Sequence, residues 1–431
     1  MQKIIWDGLP EKERLRLLQR PTAQTNKQTE DIVRTIMTDV HREGDAALRR
    51  TTQKFDKYDP DPIMLDEAQV DMAERKIDPS LRQAMKDAYA NLMTFHKRQG
   101  YQPFAVETRP GLQCERIVRS IPKVGLYIPG GTAPLLSTTL MLGVPSQLAG
   151  NSLRLLCTPG NAQGEVHPAI LFAAKLCGIR LIARVGGAQA IAAMAFGTES
   201  VPAVDKIFGP GNVYVTQAKI LAATAPNGPS MDMPAGPSEV LVIVDASTPA
   251  SFAAADLLSQ AEHDTRSQVV LIAENEAQID AIRDEITRQI ETLPRKAIAQ
   301  ETIKNSLAII AASKEQAFEI SNAYAPEHLI LCFEGAENYI GRVQNAGSVF
   351  CGLLTPESFG DYASGTNHVL PTEGYARAYA GLAVEAFQKT ITVQRANKIG
   401  FDALADTVVT MAEAEGLDGH ARAVKVRKKK S

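Results

Sequence analysis

The chain has 431 residues, of which 45% are hydrophobic and 22% charged, with a formal net charge of -3. At about 150 residues per domain this is a globular chain of two or three domains, its charge argues against a nucleic-acid partner, and it contains no uninterrupted apolar run long enough to span a bilayer. The five cysteines form no CxxC pair, and Cys157 and Cys332 sit inside apolar stretches, so reduced, buried thiols and a cytoplasmic location are expected.

The opening residues, Met1 to Trp6, lead into no apolar segment of signal-peptide type. Residues 1–116 read as mostly helical and are expected to pack on the second of two α/β domains. Thr29 to Thr51 and Ser80 to Lys97 are rich in helix formers with spaced apolar residues, separated by the break Asp59-Pro-Asp-Pro62. From Ile117 the texture changes to short β-rich runs that end in glycine and lead into helices. Val124–Ile128 precedes Gly130-Gly131, Leu153–Leu156 precedes Thr158-Pro-Gly160, Ile179–Val185 precedes Gly186-Gly187, and Asp205–Phe208 precedes Gly209-Pro-Gly211-Asn212. A second set follows at Val240–Val244, Val269–Ile272, Leu307–Ile310, His328–Leu331 and Ser348–Phe350. Strands alternating with helices imply parallel sheets covered by helices. The expected fold class is therefore α/β, with two Rossmann-like but incomplete parallel-sheet domains, 117–237 and 238–389. Their boundary falls in the Pro- and Gly-rich stretch between Asn227 and Ser238. The remaining 390–431 reads as helical and too short to hold a core of its own, and its basic end, Lys425 to Lys430, reads as a solvated terminus.

Gly209-Pro-Gly211 between a strand and a helix could let backbone amides approach a phosphate, although Tyr214 stands where the dinucleotide fingerprint has its third glycine; a plain tight turn reads equally well. Gln260 and His263, three apart in a helical stretch, share one face, but a surface helix with a solvated histidine is the ordinary reading. Asp361 and His368 lie in a polar, Gly-rich stretch, Gly360 to Val369, that positions side chains only if the fold pins it. His420 alone reads as a capping or surface residue. Glu327 and His328 are adjacent and open a β-rich run, offering two proton acceptors of different basicity. No GxSxG elbow is present to support a serine hydrolase.

Together the segments Val124–Gly131, Val185–Ile191, Asp205–Asn212, Asp232–Val240, Ser259–His263, Pro326–Leu329 and Gly360–Pro371 make the chain resemble the histidinol dehydrogenase family over nearly its whole length. The resemblance implies one Zn2+ per subunit held by Gln260, His263, Asp361 and His420, and substrate contacts at Ser238, His328, His368 and Glu415 besides those four. It implies NAD contacts at Tyr127, Gln189 and Asn212. It implies oxidation of L-histidinol through L-histidinaldehyde to L-histidine, the last steps of histidine biosynthesis, with His328 as base and Glu327 activating water for the second step. It also implies a homodimer with shared active sites, in which residues 390–431 of one subunit complete the site of the other; no membrane partner is expected, since no apolar run is long enough to span a bilayer. A metal-dependent hydrolase using Glu327, a dehydrogenase of a related amino alcohol, and a non-catalytic metal-binding protein are the competing readings. The glycine turns weigh against the hydrolase, and Glu327 with His328 beside the four expected ligands weigh against the non-catalytic protein.

Overall fold

The computed structural model describes residues 1–20, 27–130, 134–233 and 236–428; Gly131 of one expected glycine turn and Lys429 and Lys430 of the basic end lie outside the described residues. In chain order the strands are β1 (Gln2–Ile5), β2 (Phe104–Arg109), β3 (Leu112–Ser120), β4 (Lys123–Tyr127), β5 (Leu153–Cys157), β6 (Leu181–Ala183), β7 (Lys206–Phe208), β8 (Ser230–Met231), β9 (Glu239–Val244), β10 (Gln268–Ala273), β11 (Leu307–Ile310), β12 (His328–Cys332), β13 (Ser348–Cys351) and β14 (Gln388–Ala396). They form a parallel sheet of order β6-β5-β4-β7-β8, a parallel sheet of order β1-β11-β10-β9-β12-β13 and an antiparallel sheet β14-β3-β2. The two parallel sheets are the two expected from the alternation of β-rich and helical runs. Their central strands are buried on both faces, as the unbroken apolar runs of β9 and β12 require.

The expectation for the N-terminal segment needs correcting in two respects. Beyond the short helix Glu11–Leu17, its helices pack on the first sheet and not on the second. Helices Lys27–Glu43 and Asp45–Asp56 bury Val33, Met37, Val40 and Leu48 against Leu155, Ile191 and Met194 of the first sheet and its helices. Helix Pro79–His96, capped by the Asp78 side chain with proline at its first position, buries Met85, Ala88 and Leu92 in the same layer system. Only the first eighteen or so residues join the second sheet, where β1 adds an edge strand and Trp6 and Leu18 enter its core. The run read as one helix from Thr29 to Thr51 is broken at Gly44, whose φ of 56° no helix accepts.

Secondly, both terminal segments contribute strands. β2 and β3 form a hairpin across Pro110-Gly111, and β14, at the head of the segment read as helical, pairs with β3. β2 is exposed at every position, so no apolar face marked it in the sequence; the Pro-Gly turn between two β-rich runs was the available signal. Beyond β14, helices Lys398–Ala414 and Asp418–Lys428 pack on each other.

Candidate active site

Glu239 and His328 head two neighbouring central strands, β9 and β12, and both are buried. The backbone of Glu239 organises the pair Glu327-His328. Its N–H donates to Glu327 Oε2 at 2.8 Å, and its C=O lies 3.0 Å from His328 Nδ1. A carbonyl can only accept, so Nδ1 carries the proton and Nε2 is left as the basic atom of the ring. That Nε2 is buried, has no hydrogen-bond partner among the described residues, and lies 3.6 Å from Asp361 Oδ1, beyond hydrogen-bond length.

Helix geometry delivers the other groups to the same strand heads. Helix Ala250–Ala261 runs back along the sheet, so its last turn, with Gln260, reaches the edge where β9 and β12 begin, and it packs against the short helix Glu357–Tyr362. Gln260 is wholly buried, yet neither atom of its amide has a partner among the described residues. His263 follows at the rim of the site, and Ser238 directly precedes β9. Asp361 and the buried Glu357 come from the short helix, and Glu357 Oε1 stands 3.5 Å from His328 Nδ1. The polar loop carrying His368 is pinned from the first-sheet side: Asn367 Nδ2 donates to Met141 O at 2.7 Å, and Asn91 Nδ2 to Ala363 O at 2.9 Å. This anchoring is what lets a Gly-rich loop hold His368, whose Nε2 is also buried without a partner among the described residues.

The electrostatics follow from three carboxyls converging on one imidazole. Burial pushes Glu327 up to about 8, with His328 partly countering it. Burial also holds Glu357 well above the carboxylate range. For His328 burial pulls downward, but the carboxylates of Glu357, Glu327 and Asp361 outweigh it and hold the imidazole above its usual value. Burial would raise Asp361, but the imidazoles of His328, His368 and His263 keep it below the usual range. Burial holds His263 and His368 low, in the neutral form in which imidazole ligates metals. His328, Glu357 and Asp361 place ligand-type atoms within 4.8 Å of one another. An excess of carboxylate, neutral imidazoles and an orphaned buried amide fit a divalent cation held by oxygen and nitrogen donors.

The structure thus gathers Glu327, His328, Asp361, His263, His368, Gln260 and Ser238 at one strand edge. It does not gather Glu415 and His420. Both are exposed on the C-terminal helical arm, and among the described residues no hydrogen bond or ion pair joins either to this cluster.

At the first sheet, Tyr127 ends β4, Gln189 lies in the first turn of helix Gly187–Phe196, and Asn212 caps helix Val213–Thr224, so all three sit at the carboxyl edge of the strands. The glycine turns there are less open to a phosphate than their sequence allows. Gly209 N–H donates to Asp232 Oδ2 at 2.8 Å, and Asp232 pairs with the buried Lys219, whose Nζ also donates to Gly209 O at 2.9 Å. Gly187 N–H donates to the Tyr127 hydroxyl at 3.0 Å, Gln189 Nε2 donates to Asp56 at 3.1 Å, and the Asn212 side chain is spent on capping. The Gly209 turn therefore holds an anion of its own chain.

Sequence reasoning missed Glu357, Glu239 and Arg20. The four-residue spacing of Glu357 and Asp361 was a usable signal. A glutamate opening an otherwise apolar central strand, as in Glu239–Val244, was another. Nothing local marked Arg20.

A family model described as histidinol dehydrogenase matches residues 18–428 of the chain. Histidinol dehydrogenase from Xanthomonas campestris pv. campestris (strain 8004) is 50% identical over 427 residues, covering 99% of this chain and 99% of that protein. The Vibrio parahaemolyticus serotype O3:K6 protein of the same name is 49% identical over 430 residues, covering 100% of this chain and 99% of its own. The crystal structure of histidinol dehydrogenase from Elizabethkingia anophelis superposes with a TM-score of 0.95 at 46% identity, covering 100% of this chain and 98% of that one.

Proposed function

Because the chain belongs to the histidinol dehydrogenase family, and so to the oxidoreductases, we propose that it oxidises L-histidinol through L-histidinaldehyde to L-histidine in two successive NAD-linked steps with a bound zinc ion. The observation that carries this reading is the buried Glu327-His328 pair, held by the backbone of Glu239 so that, among the described residues, His328 Nε2 has no hydrogen-bond partner and Glu327 is bound through Oε2 alone.

Gln260, His263 and Asp361 would hold the ion from one subunit. When bound it supplies a Lewis acid that orients the carbinol carbon and offsets the local carboxylate charge. NAD, when bound, would supply the hydride acceptor for each of the two oxidations in turn. We assign NAD binding to residues 117–237 with Tyr127, Gln189 and Asn212, and substrate contact to Ser238, His328 and His368 in residues 238–389.

His328 takes the alcohol proton at Nε2 while its Nδ1 stays anchored. The aldehyde must then gain water, because hydride leaves only from a tetrahedral carbon. Glu327, raised to about 8, sits in the range suited to removing a proton from that water near neutral pH. His328 serves again in the second oxidation.

Glu415 and His420 belong, on this reading, to the site of a partner subunit in a homodimer. Supporting this, Phe359 and Tyr362 are exposed on the short helix that carries Asp361, and Met411 and Leu417 are exposed near Glu415 and His420 in the C-terminal arm. The five free cysteines accord with a cytoplasmic setting.

The test is NADH absorbance from the zinc-loaded protein with L-histidinol and NAD, repeated for Glu327→Gln. The variant is expected to stall on the aldehyde far more than on the alcohol. Equal loss of both steps would remove Glu327 from the assigned role, and absence of turnover by the unaltered protein would remove the substrate.

A further inference from the structure

Arg20 lies in the N-terminal segment, about three hundred residues from Glu327 along the chain, and no step assigned above uses it. Its guanidinium is nearly buried, with the side chain 10% exposed, and it grips the wholly buried carboxylate of Glu239 in a two-pronged pair: Nε to Oε1 at 2.8 Å and Nη2 to Oε2 at 2.7 Å. Two further N–H groups go to Tyr324 O at 2.6 Å and Ala325 O at 3.3 Å, and the guanidinium lies 3.5 Å over the Tyr324 ring. Glu239 Oε1 also accepts from Glu373 N–H at 2.8 Å. Ala325 and Glu373, two of the three residues whose backbone is tied to this knot, both adopt positive φ, 54° and 53°, conformations that side chains disfavour and that persist only where surrounding contacts impose them.

The knot has two ends on the catalytic dipeptide. Through Tyr324 and Ala325 it fixes the chain immediately ahead of Pro326-Glu327-His328. Through the Glu239 carboxylate it fixes the residue whose N–H binds Glu327 and whose C=O binds His328. We propose that Arg20 is a positioning residue for the oxidation: it locks Glu239, whose backbone sets the orientation of Glu327 and His328. The proposal rests on the assignment of those two residues as the proton-transfer pair. Arg20 touches neither substrate nor cofactor in this scheme, so its loss acts on the chemical steps and not on ground-state binding. Displacement of a catalytic group by as little as ~1 Å costs up to about a hundredfold in rate.

Lysine keeps the charge but presents one ammonium where the guanidinium offers a fork. Arg20→Lys in the full-length, zinc-loaded protein is expected to fold, to retain its zinc, to keep KM for L-histidinol and NAD within about twofold, and to lose kcat by ~10- to 100-fold. Arg20→Ala is expected to lose more kcat and to regain part of it in millimolar guanidinium, which enters the space left by the side chain, but not in urea at the same concentration. Where Arg20→Ala leaves the buried Glu239 charge without a partner and the chain does not fold, Arg20→Met with Glu239→Gln removes the stranded charge while keeping the backbone, and the same kcat-selective loss is expected. A kcat within twofold of the unaltered protein in folded Arg20→Lys and in the folded double variant overturns the proposal. So does a loss that appears in KM or zinc content with kcat preserved. Failure of the underlying assignment is told apart by Glu327→Gln: if that variant keeps both steps while Arg20→Lys loses kcat, the catalytic pair is wrong and not the coupling to Arg20.

Discussion

Asp256 offers a stability measurement whose size and sign follow from its surroundings. It lies one helical turn before Gln260, buried in helix Ala250–Ala261, and burial alone moves its carboxyl from 3.8 to about 7. Each tenfold change in proton affinity is worth about 1.4 kcal/mol, so full ionisation in place weighs on the order of 4 kcal/mol. Below pH 3.8 the folded and unfolded chains both hold this proton. As pH rises toward 7 the unfolded chain releases it while the folded chain keeps it, so stability falls across that window, and the loss is complete above it. A side-chain amide cannot ionise, so Asp256→Asn escapes this loss. At pH 5 the unaltered chain has suffered roughly 1.6 kcal/mol of it and at pH 8 all of it, so the stability of Asp256→Asn relative to the unaltered chain should grow by roughly 3 kcal/mol between the two. Urea unfolding of both proteins at pH 5 and pH 8, in chelator so that no metal shifts the equilibrium, reads the difference, because titrations of groups that do not interact with Asp256 cancel in the subtraction. A difference that stays constant with pH, or that moves against the variant at pH 8, refutes burial as the cause of the raised carboxyl.

Two further variants probe the remaining buried polar groups. Gln260→Leu should stabilise the metal-free protein by about 1–3 kcal/mol by replacing an amide that has no partner among the described residues, yet forfeit the gain of about 2.7 kcal/mol that zinc at a hundred times its dissociation constant gives the unaltered chain; thermal unfolding with chelator and with zinc checks both, and an undiminished zinc response would remove Gln260 from the ligand set. Lys219→Met strands the Asp232 carboxylate against Gly209, and should cost about 3–5 kcal/mol in denaturant unfolding and raise KM for NAD through the loosened turn at Asn212; Asp232→Asn on top of it should return most of the stability, and no return would mean the pair is not what holds the turn.

The α/β architecture was legible because parallel strands buried on both faces must be apolar throughout, and runs such as Val240–Val244 and His328–Leu331 announce themselves. The β2–β3 hairpin and β14 were not, because they are held by backbone pairing while their side chains are exposed in β2, mostly exposed in β14 and no more than half-buried in β3. A helix's length and caps are local properties, which is why Pro79–His96 was bounded within a residue; the surface it packs on is not, which is why the N-terminal helices were assigned to the wrong sheet.

At the site, sequence alone determined which chemistry-bearing residues exist and, through their long shared motifs, which family they belong to. It determined that Glu327 and His328 are neighbours, since adjacency is covalent. Only the tertiary structure decided that Glu239, heading the next strand, holds both of them with its own N–H and C=O, that Glu357 is buried against the imidazole, and that Arg20 reaches the knot from the far end of the chain. It also decided that the Gly209 turn encloses an internal carboxylate. The reason is the range of the forces involved. Periodicity, capping and turn preference act over a few residues and leave a trace in the sequence, whereas a hydrogen bond between residues 219 positions apart, as for Arg20 and Glu239, leaves none until the chain has folded.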